Sequence, residues 1–447
     1  LLREILDSGL GAEVLNMSAG AIGYADDLAI VTIDRTAMQT LIDIAFVYSC
    51  KWRFDFSPSK CAVMMYGKNV ANCTFHLGPS KLKTVSEYTH VGLTLMSKGK
   101  ISLVDVSKRI QACKRSFYAL VGCSLFKTSL SPNALSKLYW SVSIPKLLSG
   151  CEVKCYPNHE VKEYEKFHKT MARDIQNLPS NTPDPMVLPS MGWRDITCHI
   201  DFVKLMFVQR ILALSSMSMY RIIFLRRLFY ILLSGIYNPY SPVAQIVKIL
   251  YKYNLINHLQ MYLNSGIVPT KSEWRCSVKS AIDDKFHSEW RFLLSLYPKL
   301  DVYRVVVQRS SFLCWWEMVK SLPFLKKACI VIVRLLSGSH ILKVAQQLDT
   351  ARQFRICDNC NSGKVEDLYH FVVECSKWRQ VRECMFRTID LSIDSQSQWH
   401  LLSQKMKFYL LFGLDYPLPS EELFAIRYAS CVHVLKMYKL RKALRQS

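Results

Sequence analysis

Gly23-Tyr24-Ala25-Asp26-Asp27-Leu28 places two adjacent carboxylates between short apolar runs. Ala21-Ile22 stands before this stretch and Ala29-Ile30-Val31 after it, so the pattern predicts two short buried strands with the acidic pair at the turn between them. Buried charge is costly unless a metal or a partner neutralises it. Because Asp is also a favoured turn residue, the residues alone leave open a solvated hairpin tip or caps for the helix that follows Asp34. That helix is predicted to end at Trp52.

The segments around the acidic pair resemble one protein family, in the same order along the chain. Tyr24-Ala25-Asp26-Asp27 is similar to the catalytic hairpin of reverse transcriptases, in the form found in non-LTR (LINE-type, Jockey- and CR1-like) retrotransposons. Leu6-Asp7-Ser8-Gly9-Leu10-Gly11 resembles the family's leucine and glycine segment before this hairpin. Phe56-Ser57-Pro58-Ser59-Lys60 and Tyr88-Thr89-His90-Val91-Gly92 resemble its Phe-Asn-Pro-x-Lys and Tyr-x-Tyr-Leu-Gly motifs, with departures at Ser57, His90 and Val91.

The resemblance implies part of an RNA-directed DNA polymerase, an enzyme that adds deoxynucleoside triphosphates to a DNA primer on an RNA template. In such an enzyme Asp26 and Asp27 would bind Mg²⁺, and Lys60 would protonate the departing pyrophosphate. The family's primer grip corresponds to Tyr88, His90 and Gly92.

The acidic pair is not a complete metal site by itself. Nucleotide addition uses two divalent metals about 3.5 to 4 Å apart. Neighbouring residues on a strand point to opposite faces, so Asp26 and Asp27 need at least one further carboxylate. The family takes it from an earlier strand, so we expect this chain, which does not begin with Met, to start inside a longer reading frame or to be the end of a decayed element, and to be inactive alone. Three other aspartates are poor candidates for the missing carboxylate. Asp34 is predicted to be a helix N-cap, Asp43 to lie in the middle of a helix and Asp55 to point outward from a strand.

Four soft ligands near the C-terminus have the spacing of a structural zinc site. Cys357, Cys360, His370 and Cys375 form the pattern Cys-x2-Cys-x9-His-x4-Cys, which is typical of tetrahedral zinc with all ligands from the protein. On an ideal helix, positions five apart are rotated by about 140°, so His370 and Cys375 share a metal only if the helix loosens or ends near Cys375. The alternative is cysteines that pack as small hydrophobic residues beside a core histidine.

The same region resembles the zinc knuckle near the C-terminus of many non-LTR retrotransposon proteins. Arg334-Leu335-Leu336-Ser337-Gly338-Ser339-His340 looks like the Arg-x-Leu-Thr-Gly-His that precedes this knuckle, with Ser337 in place of Thr and the His one position late. Asp367 is predicted to cap a helix that carries His370. The expected cofactors are therefore structural Zn²⁺ and catalytic Mg²⁺.

The overall charge is typical of a protein that binds a phosphate backbone. Lys and Arg number 58 against 35 Asp and Glu, which gives a formal net charge of +23 and a pI near 9.4. Within the helical pattern from Val104 to Tyr139, one face would track duplex phosphates or be merely solvated. Its basic residues are Lys108, Arg109, Lys114 and Arg115. The last turns of the helix predicted from Glu421 to Arg445 also carry basic residues, which would touch nucleic acid or complement the helix dipole.

Sixteen cysteines without a recognisable signal peptide indicate a reducing compartment inside the cell, and we expect the nucleus. Residues 222–236 form the most apolar run of the chain. Arg226 and Arg227 would each cost about 2.5 to 3.5 kcal/mol near the centre of a bilayer. The run therefore predicts a buried helix, and no membrane partner is expected.

The fold class predicted for the whole chain is α+β. The rear part of a reverse-transcriptase palm, a small antiparallel sheet with a helix, is expected over residues 1–103. It is followed by a helical thumb (104–180), a helical connection region (181–345), the zinc knuckle (346–395) and basic C-terminal helices (396–447). Two alternatives stay open: a non-catalytic nucleic-acid-binding protein that uses the knuckle and the basic helices, and an inactive retroelement relic.

Overall fold

The computed structural model describes residues 1–67, 73–97, 103–122, 130–238, 241–346 and 350–446. These residues form mostly helices with small two-stranded sheets, which confirms the mixed composition predicted. The strands are β1 (Glu13–Val14), β2 (Met17–Ser18), β3 (Ala21–Tyr24), β4 (Asp27–Ile30), β5 (Ala62–Met64), β6 (His76–Leu77), β7 (Ser80–Lys81), β8 (Lys83–Val85), β9 (Glu87–His90) and β10 (Leu93–Met96). The helices are α1 (Leu2–Asp7), α2 (Arg35–Trp52), α3 (Leu103–Val121), α4 (Pro132–Leu138), α5 (Ile144–Leu148), α6 (Asn158–Gln176), α7 (Asp184–Val187), α8 (Ile196–Leu212), α9 (Met219–Ser234), α10 (Pro242–Lys252), α11 (Ile256–Ser265), α12 (Lys271–Ser295), α13 (Asp301–Val306), α14 (Cys314–Ser321), α15 (Lys326–Leu336), α16 (Lys343–Gln346), α17 (Arg379–Asp390), α18 (Gln404–Leu411) and α19 (Ser420–Gln446).

The chain divides into two compact units, each assembled from three separate stretches. Unit 1 comprises residues 1–111, 147–161 and 200–282, and unit 2 comprises residues 112–146, 162–199 and 283–447. The five sequential segments predicted from the sequence do not follow this division, and they stay a prediction.

In unit 1, helix α2 packs against the small sheets that follow it. Asp34 accepts a hydrogen bond from the backbone N–H of Ala37 at 2.7 Å, which confirms it as the N-cap. The helix ends at Trp52, as predicted, because Arg53 adopts a left-handed conformation with φ of 56°. The buried core between the helix and the sheets consists of Ile42, Val63, Phe75, Leu77 and Leu82.

The acidic stretch forms the predicted hairpin, but the prediction that its strands are buried is wrong. Strands β3 and β4 pair antiparallel, with Tyr24 opposite Asp27, so Ala25 and Asp26 are the two turn residues. Ala25 has a positive φ of 53°, as the tight hairpin turn requires. The two strands pair only with each other among the described residues, so none of their residues is buried, half of them are exposed, and Tyr24 is 64% exposed.

The Tyr88–Gly92 stretch forms a second tight hairpin from β9 and β10. His90 pairs with Leu93, which leaves Val91 and Gly92 in the turn with φ values of 48° and 74°. Two positive φ values are typical of a type I′ turn. Gly92 adopts this conformation without strain, whereas a β-branched residue such as Val91 rarely does.

The apolar run 222–236 lies mostly in α9, and only one side of this helix is buried. Phe224, Leu228 and Ile231 are buried, whereas Phe229 and Leu233 are exposed, so the prediction of a buried helix holds for one stripe only. The buried positions recur at helical spacing, which is the pattern of a helix packed on one side. Among the residues described, none of the helices is both long enough and apolar enough to span a membrane.

Unit 2 is a helical assembly around the long C-terminal helix. Helices α15, α17 and α18 all pack against α19, whose extent confirms the helix predicted from Glu421 onward. Cys329 of α15 and Cys431 of α19 are both buried, and their sulfur atoms lie 3.6 Å apart. These cysteines pack as small hydrophobic residues, in contrast to those described next.

Candidate metal centre and acidic hairpin

The first half of the cysteine and histidine group lies in a short hairpin. Ile356 and Val365 form an antiparallel bridge, and the N–H of Cys357 donates to the carbonyl of Lys364 at 2.9 Å. This pairing closes the loop that carries Cys360. Turn residues between the two sides, which the sequence supplies as Asp358-Asn359 and Asn361-Ser362-Gly363, allow the chain to reverse there.

The second half of the group brings His370 and Cys375 to the same side, although an ideal helix would point them in different directions. Residues 370–374 form a single turn of π-helix, and the N–H of Cys375 donates to the carbonyl of His370 at 2.8 Å. At Cys375 the chain leaves the helix, with φ of −57° and ψ of 123°. Asp367 accepts from the N–H of His370 at 2.8 Å, which confirms the predicted cap. The widened turn therefore brings two ligands five positions apart to one side.

The four ligand atoms lie within 4.8 Å of one another, an arrangement that could hold a metal ion and is compatible with zinc. The sulfur atoms of Cys357 and Cys375 are 4.0 Å apart, and the Cys360 sulfur is 3.4 Å from Nε2 of His370. Zinc bonds of about 2.3 Å to sulfur and 2.0 Å to nitrogen place tetrahedral ligand atoms about 3.5 to 3.8 Å apart. The residues therefore fit a metal ion, and within the ranges described no other group of three or more potential ligands comes together.

The thiols of this site differ in how readily they lose a proton. Burial raises the pKa of Cys360, but hydrogen bonds from the side chain and backbone of Ser362 outweigh it and lower the pKa to about 6. Burial raises the pKa of Cys375 to about 12 and also raises the pKa of Cys357. A metal binds the thiolate form of cysteine. Cys360 is therefore already in the binding form near neutral pH, whereas Cys357 and Cys375 release their protons to solvent when the metal binds.

An acidic side chain supports the histidine ligand from behind. Nε2 of His370 faces the sulfur of Cys360, and Nδ1 lies 3.4 Å from a carboxylate oxygen of Glu374. Lys364 forms an ion pair of 2.8 Å with Glu374, and this hydrogen bond is the main cause that lowers the pKa of Glu374. A carboxylate in this position fixes the orientation of the ring.

A buried ion pair ties the knuckle to the C-terminal helix. Glu366 is 1% exposed and accepts two hydrogen bonds from the guanidinium of Arg441, at 2.6 and 3.1 Å. The N–H of Lys343 and the amide of Asn359 also donate to Glu366, at 2.9 and 3.1 Å. Arg441 is one of the basic residues expected to touch nucleic acid or complement the helix dipole. The structure corrects the first alternative, because Arg441 is 7% exposed and its guanidinium binds Glu366 instead.

The acidic hairpin has no comparable support. Asp26 and Asp27 are exposed, and neither belongs to a ligand group in the described part of the chain. Asp34 is engaged as a helix cap, and Asp43 accepts from Gln39 at 2.8 Å within α2. Asp55 follows the end of α2 and does not lie in a strand, so its predicted strand position is wrong. The described chain thus does not assemble a third carboxylate beside the pair.

Lys60 and the second hairpin are joined directly. The hydroxyl of Tyr88 donates to the carbonyl of Lys60 at 2.9 Å, while the Lys60 side chain is exposed. His90 is half-buried and paired in the sheet, and Gly92 occupies the turn. At the position of the family's Asn, the hydroxyl of Ser57 lies 3.1 Å from that of Ser59.

The basic face predicted on α3 is present except at Arg109. Lys108, Lys114 and Arg115 are exposed, whereas Arg109 is 8% exposed. Its guanidinium donates to the carbonyls of Gly92 at 2.9 Å and Ser149 at 2.6 Å. The structure corrects the prediction for Arg109, because a guanidinium that binds two backbone carbonyls anchors the second hairpin rather than facing solvent.

Two features of the knuckle were not predicted from the sequence. Glu374 stands four positions after His370, a spacing that places both on one helical face and could have identified the supporting carboxylate. Glu366 and Arg441 are 75 positions apart, and no local pattern connects them.

Comparisons with known proteins do not assign the chain to a family: no protein-family model matches it, and no curated protein matches it either.

Proposed function

We propose that this chain is the rear portion of an RNA-directed DNA polymerase of the non-LTR retrotransposon type. The observation that carries the proposal is the β3–β4 hairpin, which presents Asp26 and Asp27 at and beside a two-residue turn. The link from Tyr88 to Lys60 supports it, since it joins the two motifs that resemble the primer grip and the lysine segment within one unit.

In this proposal the two carboxylates bind Mg²⁺ together with a third carboxylate from a strand outside the described residues. Mg²⁺ prefers carboxylate oxygens. Asp26 and Asp27 would hold the metal ions, which when bound would supply activation of the primer hydroxyl and stabilisation of the charge on pyrophosphate. The exposed side chain of Lys60 supplies the proton that pyrophosphate takes up. Tyr88, His90 and Gly92 position the primer end.

The knuckle has a structural role in the same proposal. Cys357, Cys360, His370 and Cys375 bind one Zn²⁺, and since all four ligands come from the protein, no coordination position is left for chemistry. Exposed basic residues such as Lys114 and Arg115 contribute attraction for the phosphates of a bound duplex.

A second candidate is a nucleic-acid-binding protein without catalysis. It is favoured by one observation: across the described ranges, potential metal ligands converge only at the knuckle and not at the acidic hairpin. Such a protein would keep the basic surface and the zinc site, and it would use neither Asp26 nor Asp27.

Primer extension on poly(rA)–oligo(dT) with Mg²⁺ separates the two candidates. The protein is expressed from its complete reading frame, and we expect extension that Asp26→Ala abolishes. The matched control is Asp43→Ala, which removes a carboxylate that lies within α2 and should leave the rate within about twofold. Extension that survives Asp26→Ala would rule out the polymerase assignment.

Binding of the same template–primer tests the second candidate. Binding without extension, with an affinity that falls steeply as salt is added and weakens with a zinc chelator, would favour it. If neither salt nor chelator alters binding, the nucleic-acid-binding candidate fails.

A further inference from the structure

Unit 2 contains a cavity of about 340 Å³ that none of the four metal ligands lines. Its walls come from segments 298–302, 335–345, 352–369 and 405–409. Small-molecule sites in proteins commonly have volumes of about 300 to 1,000 Å³. The cavity therefore has room for one compact ligand.

The backbone brings two of these segments into close contact at a glycine. Gly338 follows α15 with φ of 66°, and a Cβ atom there would lie 2.8 Å from the Cβ of Lys299. Only glycine allows both the conformation and the approach. The turn at Gly338 and the turn at Lys299 thus form adjoining parts of the wall.

The wall is largely apolar and carries an aromatic surface. Leu335 and Leu336 contribute aliphatic side chains from the last turn of α15. Tyr369 and Tyr409 are half-buried and face the cavity, and Phe408, which is 2% exposed, packs edge to face against Tyr369 with ring centroids 5.1 Å apart. Such a surface favours a flat, partly apolar ligand such as a heteroaromatic ring.

The charged residues of the wall favour an anion. Four cationic side chains line the cavity, against two carboxylates. Both carboxylates, Asp301 and Asp367, lie within 3.8 Å of the guanidinium of Arg352. Lys299 and Lys405 are exposed, and neither forms an ion pair with any residue that the structure describes. Their charge is therefore available to a ligand.

His340 adds a hydrogen-bond donor to the wall. Its Nδ1 accepts the N–H of Leu342 at 3.3 Å, so the neutral ring carries its proton on Nε2. Burial, and secondly the charge of Lys299, lowers the pKa of His340 to about 4, so the ring is neutral near pH 7.

We propose that this cavity binds a nucleotide, with its base against Tyr369 and Tyr409 and its phosphate at Lys299 and Lys405. A metal ion is a poor occupant, since both carboxylates are already paired with Arg352. The proposal rests on the proposed function for the origin of this nucleotide. The nucleotide is either an unpaired one within a bound nucleic-acid strand or a free nucleotide.

Calorimetric titration of the full chain with AMP tests the site, with adenosine and inorganic phosphate as partial probes. We expect one AMP per chain, bound at least about tenfold more tightly than either part, because base and phosphate contacts add. Lys405→Gln should weaken AMP about tenfold through loss of a charged hydrogen bond. The matched control is Lys327→Gln, an exposed lysine of α15 that does not line the cavity and should leave the affinity unchanged.

A second variant fills the cavity. Ala345→Trp places a large ring in the wall and should abolish AMP binding, with folding checked by zinc content and thermal melting. If this variant does not fold, the AMP affinity of Lys405→Gln still tests whether the cavity is the binding site. AMP that binds no more tightly than phosphate, or that binds Lys405→Gln or a folded Ala345→Trp as well as it binds the parent chain, overturns the nucleotide site.

Competition with single-stranded oligo(dA) distinguishes the two sources. Displacement of AMP by the strand assigns the cavity to a nucleotide within a strand, and simultaneous binding of both assigns it to a free nucleotide. The result is separable from that of the proposed function: primer extension without AMP binding removes the cavity inference alone, and AMP binding without extension removes only the polymerase.

Discussion

The knuckle and the acidic hairpin are two potential metal sites of one chain, and they differ in how completely the chain itself builds them. The knuckle brings four ligand atoms within 4.8 Å, supports His370 with Glu374 and is held by a buried ion pair. The hairpin presents two exposed carboxylates without a third. A site with its own supporting residues is defined by this chain alone, whereas an exposed pair depends on a further ligand.

The largest expected effect is on zinc at the knuckle. Cys375→Ser replaces a buried thiolate ligand and should reduce bound zinc from one ion per chain to a small fraction, because structural zinc contributes about 10 to 16 kcal/mol of apparent binding free energy. Metal analysis after dialysis measures this. Cys384→Ser is the control, since that thiol is exposed on α17 and outside the ligand group. Stoichiometric zinc in Cys375→Ser would contradict the assignment.

Breaking the buried ion pair between Glu366 and Arg441 should lower the free energy of unfolding. Glu366→Gln leaves the guanidinium of Arg441 without its charged partner, and such losses cost about 3 to 5 kcal/mol. Chemical denaturation followed by tryptophan fluorescence measures the change. Lys442→Met alters the exposed neighbour and should change stability by less than about 0.5 kcal/mol. Equal stability of Glu366→Gln and the parent chain would show that this ion pair does not contribute to stability.

The pH dependence of zinc affinity follows from the three thiols. At pH 7.5 Cys360, with its pKa of about 6, is already a thiolate, whereas Cys357 and Cys375 have raised pKa values and release protons on binding. Affinity should therefore rise with pH, by about a hundredfold per unit for two protons released. Competition with a chromogenic chelator at pH 7 and 8 measures the slope. A flat profile would contradict the thiolate ligand set.

Weakening the support of His370 should have a moderate effect. Glu374→Gln keeps the size of the side chain but removes its charge, and we expect zinc affinity to fall about 10- to 100-fold, the usual cost of losing a supporting carboxylate. Chelator competition detects the change. Glu383→Gln, on the exposed side of α17, is the matched control. Unchanged affinity in Glu374→Gln would mean that Glu374 does not orient the ring.

The smallest expected effect sharpens the contrast between the sites. Asp27→Asn at the exposed hairpin should change the free energy of unfolding by less than about 0.5 kcal/mol, as surface substitutions usually do. Thermal and chemical denaturation measure it. A loss of several kcal/mol would show that the carboxylate has a structural partner and would weaken its assignment to a metal.

Local patterns in the sequence predicted local structure well. The Asp34 cap, the end of α2 at Trp52 and the cap by Asp367 all depend on residues within a few positions of one another. The spacing of Cys357, Cys360, His370 and Cys375 likewise predicted the ligand group, and the condition that the helix loosen before Cys375 is met by the π-turn.

Contacts between distant segments could not be predicted in this way. Arg109 and Arg441 both read as basic surface residues, yet both are buried and bind partners far along the chain. The exposure of β3 and β4 was also missed, because alternating apolar residues show only that a strand can be covered, and not that a neighbouring strand is there to cover it.

The most direct test of the difference between the two sites is X-ray absorption spectroscopy at the zinc edge of the purified chain, with metal content measured in parallel. We expect one zinc per chain, bound to three sulfur atoms at about 2.3 Å and one nitrogen at about 2.0 Å. A zinc-free chain, or a zinc ion bound mainly by oxygen atoms, would contradict it.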